Sequence, residues 1–176
     1  MPLYLPPPPQ PVIIATEVSA LAGVATDTLT ALQVYVYVFE LAVATTFSGA
    51  KWRINTAASP GSTDIGIYNF AGTTLFASLG GVVNVANTSF AQAFSGGNVT
   101  LQPGQYCTAL ASENNSDNYT GINAPAASAV ILSRYRYAAN GSVNAHPTTL
   151  PSTLGALSNP STTKMPAWSL TVVGGI

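Results

Sequence analysis

Charge is scarce in this chain. Five Lys and Arg and six Asp and Glu among 176 residues leave it 6% charged, with a formal net charge of −1, where about a quarter is usual. That excludes nucleic acid as a partner, because neutralising phosphates takes several clustered cations. Solubility has to come from Asn, Ser, Thr and Gly instead. The single cysteine, Cys107 in GQYCTALAS, rules out a disulfide within the chain. It reads as a small buried apolar residue rather than a reactive thiol. The single histidine, His146, lies in the proline-flanked stretch NAHPTTLP. General acid–base and nucleophilic mechanisms use two or three positioned groups, and a lone loop histidine does not supply them.

The carboxylates are Glu17, Asp27, Glu40, Asp64, Glu113 and Asp117, and no two have the placement of a glycosidase pair. Glu113 and Asp117 share the stretch ENNSDNYTGINAPAA with Asn114, Asn115 and Asn118, but the spacing of a calcium-binding EF-hand loop is missing. Cys and His are too few for a zinc site. The expectation is therefore a protein without enzymatic activity, with no metal and no cofactor. Long apolar runs are missing as well. The most apolar stretch, 29–44, is interrupted by Gln33 and Glu40, short of the roughly 18 residues a membrane helix requires. No membrane insertion is expected, and MPLYLPPPPQP lacks the basic start of a signal peptide.

What the chain does have is β pattern. Hydrophobic residues make up 47%, and the mean hydropathy is +0.31. With so little charge to dress a surface, apolar area buried between subunits is expected. In KWRINTAASPGSTDIGIYNFAGTTLFASLG, Lys51 and Arg53 alternate with Trp52 and Ile54, the period of two of a half-buried strand. Pro60–Gly61 signals a turn. A strand over 64–70 then places Ile65 and Ile67 on one face and Tyr68 and Phe70 on the other. Gly66 within it marks a bulge or a close backbone approach. Ala71–Gly72 turns into a strand starting at Leu75. The strongest strand is LQVYVYVFELAV, residues 32–43, with Val34, Val36 and Val38 on one face and Tyr35, Tyr37, Phe39 and Leu41 on the other. Both faces are apolar, so both should be covered, one by the core and the other by the arm or a second subunit.

Further strands are predicted at 82–85, 89–94, 99–101, 105–112, 129–137 and 167–173, with 113–127 as a long polar loop and 138–166 low in pattern. About eight or nine short strands between turn signals point to an all-β, jelly-roll-like antiparallel sandwich over residues 31–176. Residues 1–30 form a separate N-terminal arm. It holds six prolines in its first eleven residues, predicts polyproline II, and leaves 17–32 unresolved, with Asp27 able to cap a helical turn. Leu3, Tyr4 and Leu5 precede Pro6, Pro7, Pro8 and Pro9, and Val12, Ile13 and Ile14 follow. These are the expected docking residues on a neighbouring subunit.

The run WRINTAA, a Ser/Gly/Pro loop and DIGIYNFAGTTL, and later NVTLQPGQYCTALAS, resembles the β-sandwich modules of tailed-phage virion proteins. Such modules occur in head-decoration and capsid-associated proteins and at tail-fibre tips. The resemblance spans roughly residues 32 to 136. It implies a structural protein of the virion in contact with other virion proteins; the scarce charge and the apolar arm add the expectation of a homo-oligomer, specifically a trimer. The resemblance carries no catalytic residues over. The alternative is a tail-fibre or receptor-binding module reading a host-surface glycan, with Asn114, Asn115, Asp117, Asn118 and Tyr119 as its ligand loop and Tyr119 as the stacking ring.

Overall fold

The computed structural model describes residues 26–28, 34–57, 61–114, 116–123, 135–138, 149–158 and 164–173. These contain fourteen strands and no helix: β1 Thr26–Thr28, β2 Val34–Leu41, β3 Thr45–Thr56, β4 Ser62–Asn69, β5 Leu75–Ser78, β6 Val82–Val83, β7 Thr88–Ala93, β8 Val99–Leu101, β9 Gly104–Ser112, β10 Asn118–Asn123, β11 Tyr135–Ala138, β12 Leu157–Ser158, β13 Lys164–Pro166 and β14 Trp168–Val172. All pairings are antiparallel. One sheet runs β1-β10-β3-β14, with β7 and β8 also on β3 and β13 on β10. The other runs β12-β11-β2-β9-β4-β5, with β6 on β4. The protein is an all-β antiparallel sandwich, as the alternation predicts.

β3 is the hub of its sheet. Trp52 pairs with Phe90 of β7 on one side and Trp168 of β14 on the other. The pairing shifts by one residue at Ser48: Phe47 opposes Val172, and Gly49 opposes Thr171. An extra residue in one strand reverses the side-chain parity on either side of it. Phe47 can therefore face inward along with Ala50, Trp52 and Ile54, and all four join the main core. Gly49 follows the shift for a steric reason, since a Cβ there would sit 1.9 Å from the Gln92 carbonyl oxygen.

The main core lies between the sheets. β2 contributes Tyr35, Phe39 and Leu41, β4 Ile65 and Ile67, and β9 Leu110; the facing sheet supplies Trp52, Ile54, Tyr119 and Trp168. The Trp168 indole N–H donates to Thr108 Oγ1 at 3.0 Å, tying the two sheets together. Burial of this kind contributes about 1.5–3 kcal/mol for each large apolar side chain.

A second apolar cluster covers the other face of β2, β9 and β4. It holds Val34, Val36, Tyr68, Cys107, Ala109 and Ala111. Among the described residues its cover is the chain's own segment 149–158, through Leu150 and Leu154, with Leu157 packed alongside. The chain's own segment thus provides cover on a face expected to lie under the arm or a second subunit, and part of a stretch read as patternless gains a role. That segment is a strap: Leu154 N–H donates to Gly72 O at 2.7 Å, and the Tyr68 hydroxyl donates to Pro151 O at 2.5 Å. Gly66 lies beneath it, where a Cβ would be 2.6 Å from Ala77 O and 2.8 Å from Leu150 Cδ1. Close approach is what its position predicts.

Two expectations are corrected. The polar loop at 113–127 contains β10, whose Tyr119 pairs with Ile54 of β3; tertiary pairing overrides the weak strand propensity of Asn and Gly. Asp27, read as a helix cap, lies in β1 opposite Tyr119. Residues 26–28 of the predicted arm thus belong to the sandwich's own sheet. The predicted strand at 129–137 is present as β11 from Tyr135; residues 129–134 lie outside the described residues.

Candidate functional site

Among the described residues, a group of buried polar side chains sits inside the sandwich, where β4, β6 and β10 meet. Thr63, Asp117, Tyr119 and Thr120 have no exposed surface, and Asn84 is 9% exposed. β6 and the residue after it alternate, so Val83 and Val85 face outward while the Asn84 amide turns inward. Its Oδ1 accepts from the Thr63 hydroxyl at 2.7 Å. Its Nδ2 donates to Asp117 Oδ2 at 2.5 Å and lies 3.4 Å from the Tyr119 hydroxyl. Thr63 Oγ1 and Tyr119 Oη are 2.6 Å apart. One amide therefore links strands of both sheets. Burial raises the Tyr119 phenol above its ordinary range, opposed by its hydrogen bonds with Ser112, Thr63 and Asn84, and the nearby Asp117 charge pushes it further up. A phenol so placed stays protonated and acts as a hydrogen-bond donor, not as a nucleophile.

The predicted ligand loop is brought together, but as an internal joint. Asn114 Oδ1 accepts from Ser116 N–H at 2.9 Å and Asp117 N–H at 2.8 Å. This is the local turn that Asn chemistry favours. Ser62 Oγ donates to Glu113 Oε2 at 2.8 Å. The Asn118 side-chain oxygen is buried with no hydrogen-bond partner among the described residues. Asn115 lies outside the described residues. The glycan reading rested on Tyr119 as a stacking ring; the ring is wholly buried in the main core, so this loop offers no such platform. The arm residues Leu3, Tyr4, Leu5, Pro6, Pro7, Pro8, Pro9, Val12, Ile13 and Ile14 lie outside the described residues, and so does His146.

A second buried carboxylate was missed as a structural centre. Asp64 is fully buried on the strap side of β4. Its Oδ1 accepts from Gly80 N–H at 3.1 Å and its Oδ2 from Leu150 N–H at 2.7 Å. Burial raises its pKa, and these backbone donors, with Leu79 N–H and Ser78, pull it back. Asp64 thus clamps β4, the β5–β6 connection and the strap. The one sequence signal for this role is a lone Asp at the start of an apolar strand. Cys107, opposite Tyr68 on β9, is buried in the second cluster, its thiol pushed up to about 11 by desolvation and 3.4 Å from Phe70 O.

Among the described residues, no three His, Cys, Asp or Glu side chains come together as a metal site, and no helix is long and apolar enough to cross a membrane. No protein-family model matches the chain, and no curated protein or solved structure is significantly similar to it.

Proposed function

We propose that this chain is a non-enzymatic structural subunit of a tailed-phage virion, a capsid-associated decoration, cement or coat protein. One contrast supports this reading. The buried polar side chains of the sandwich interior, Thr63, Asn84, Asp117 and Tyr119, are engaged in hydrogen bonds that hold its strands together. Large apolar side chains stand outside, with Val83 72% exposed, Val85 54% and Phe70 51%. With eleven charged residues to dress the surface, such area is suited to contact with other subunits. A jelly-roll arrangement is part of this reading, supported by β9 entering between β2 and β4 while β3 lies in the opposite sheet.

In this reading the subunits form a trimer within the shell, and the N-terminal arm docks on a neighbour. A preformed polyproline segment loses little conformational entropy on docking. The test is native mass and particle incorporation, with and without Met1 to Pro11. Truncation should weaken assembly and leave the sandwich folded. A full-length protein that is monomeric at every concentration and enters no particle would refute the proposal.

A further inference from the structure

β7 is the longest strand that pairs on one side only, among the described residues. Its six residues, TSFAQA, pair with β3, and no described strand lies on the other side. In an antiparallel ladder alternate residues turn their N–H and C=O groups away from the partner, so β7 presents a row of backbone donors and acceptors outward. Proteins ordinarily blunt such an edge with charge, proline, a bulge, shortness or a cover. The other described edges show these devices: β8 and β13 have three residues each, and the five of β14 are interrupted by the register shift at Thr171 and Val172. β1 has three residues, one of them Asp27. β6 and β12 have two each. β5 has its last carbonyl, Ser78 O, capped by the backbone N–H and the hydroxyl of Ser95. β7 carries no charge, no proline and no glycine, and Ser89 and residues 91–93 are exposed.

We infer that the outer edge of β7 pairs antiparallel with β7 of a second copy of this chain, joining two seven-stranded sheets into one. The occupant follows from symmetry and charge. A two-fold axis normal to the sheet brings same-face residues opposite one another. Centred on Ala91, it sets Ala91 against its own copy, Phe90 against Gln92 and Ser89 against Ala93. No charged residue opposes another in this register. The nearest like charges are the two Lys51 side chains, one strand further in on each side, because Lys51 pairs with Ala91. Three strand spacings hold them about 14 Å apart, beyond the screening length of about 8 Å at physiological salt. Phe90, stacked on Trp52 with ring centroids 4.7 Å apart, is half-buried in the single copy, and the second strand would cover its free edge. The contact is separate from the arm and does not depend on a virion.

Ala91→Cys tests it. Residues directly opposite across such a pair lie about 4.5–5.5 Å apart at Cα, within disulfide reach, and the native Cys107 is buried. On mild oxidation of the concentrated protein, Ala91→Cys should form a disulfide dimer at least about ten-fold faster than Asn98→Cys in the exposed turn beyond β7, because pairing raises the effective thiol concentration. Adding Ala93→Pro, which removes an outward N–H of β7 because the neighbouring Gln92 carbonyl faces β3, should remove that advantage, with intact tryptophan fluorescence showing that the fold survives. Equal rates for the two cysteine variants would overturn the inference. So would loss of the cross-link on deleting residues 1–16, which would make the arm the occupant of this edge.

Discussion

Replacing Asn84 with Ala probes the joint between the sheets. The variant removes the acceptor for the Thr63 hydroxyl and a donor to Asp117, both in the interior. A neutral hydrogen bond is worth about 1 kcal/mol and one to a charged group about 1.5–3 kcal/mol. The loss should therefore be about 3–4 kcal/mol, a large part of the 5–15 kcal/mol that typically holds a domain together. Urea unfolding followed by the fluorescence of Trp52 and Trp168, both buried, reads it directly. With a slope of about 2 kcal/mol per molar, the midpoint should fall by about 1.5–2 M. A companion variant, Asn84→Asp, puts a second carboxylate against Asp117. Like charges raise the folded-state pKa of the pair, so the folded protein binds more protons than the unfolded chain, and stability rises as pH falls. Asn84→Ala should show no such gain. A midpoint shift under about 0.5 M at unchanged slope, or an Asn84→Asp variant no better at acid pH, would refute the account.

Asp64→Asn should flatten part of the pH dependence of the wild type. The folded pKa of Asp64 is raised, so its contribution is most favourable when protonated and is lost as pH rises through that value. Wild-type stability should therefore gain on the variant as pH falls, as measured by urea midpoints across the acid range. Leu154→Ala should cost about 2 kcal/mol, the low end for a buried leucine at the rim of a cluster, and hydrogen exchange should speed up along β2 and β9 beneath the strap. Cys107 should resist thiol reagents at pH 8 in the native protein and react fully in urea, because its thiol is buried and its pKa is pushed up to about 11.

The parts of the fold legible in the sequence were those where the side-chain type changes at every second residue. β2 and β3 show this, and their faces follow the alternation of Tyr35, Phe39 and Leu41 against Val34 and Val36. β10 was not legible because its inward residues, Tyr119 among them, are set in an Asn- and Ser-rich run whose local chemistry favours turns. The strap was not legible because it covers its face with leucines spaced by backbone hydrogen bonds rather than by any strand or helix period. The joint at Asn84 was hidden for a related reason: an Asn between two valines reads as an interruption of an edge strand, and its partners Thr63, Asp117 and Tyr119 are distant in sequence. The ligand loop was named from the Tyr119 ring and its Asn and Asp neighbours, and the same side-chain chemistry serves the interior.

The pairing of β3 has a bearing on how the chain folds during synthesis. One edge of β3 is met by β7 and β8, which precede β9 in the chain, but the other waits for β10 and β14. Ser48 Oγ donates to Thr171 O across 123 residues, and the Asp64 clamp closes on Leu150 across 86. Contacts so distant in sequence make folding slow, because the chain must close large loops before they form. A nascent chain ending near residue 140 would hold Trp52 and Tyr68 with one side bare, in a composition with little charge to keep such chains apart. The interval between the emergence of β3 and the arrival of β14 is when this protein is most exposed to aggregation, and when a holdase would have most to protect.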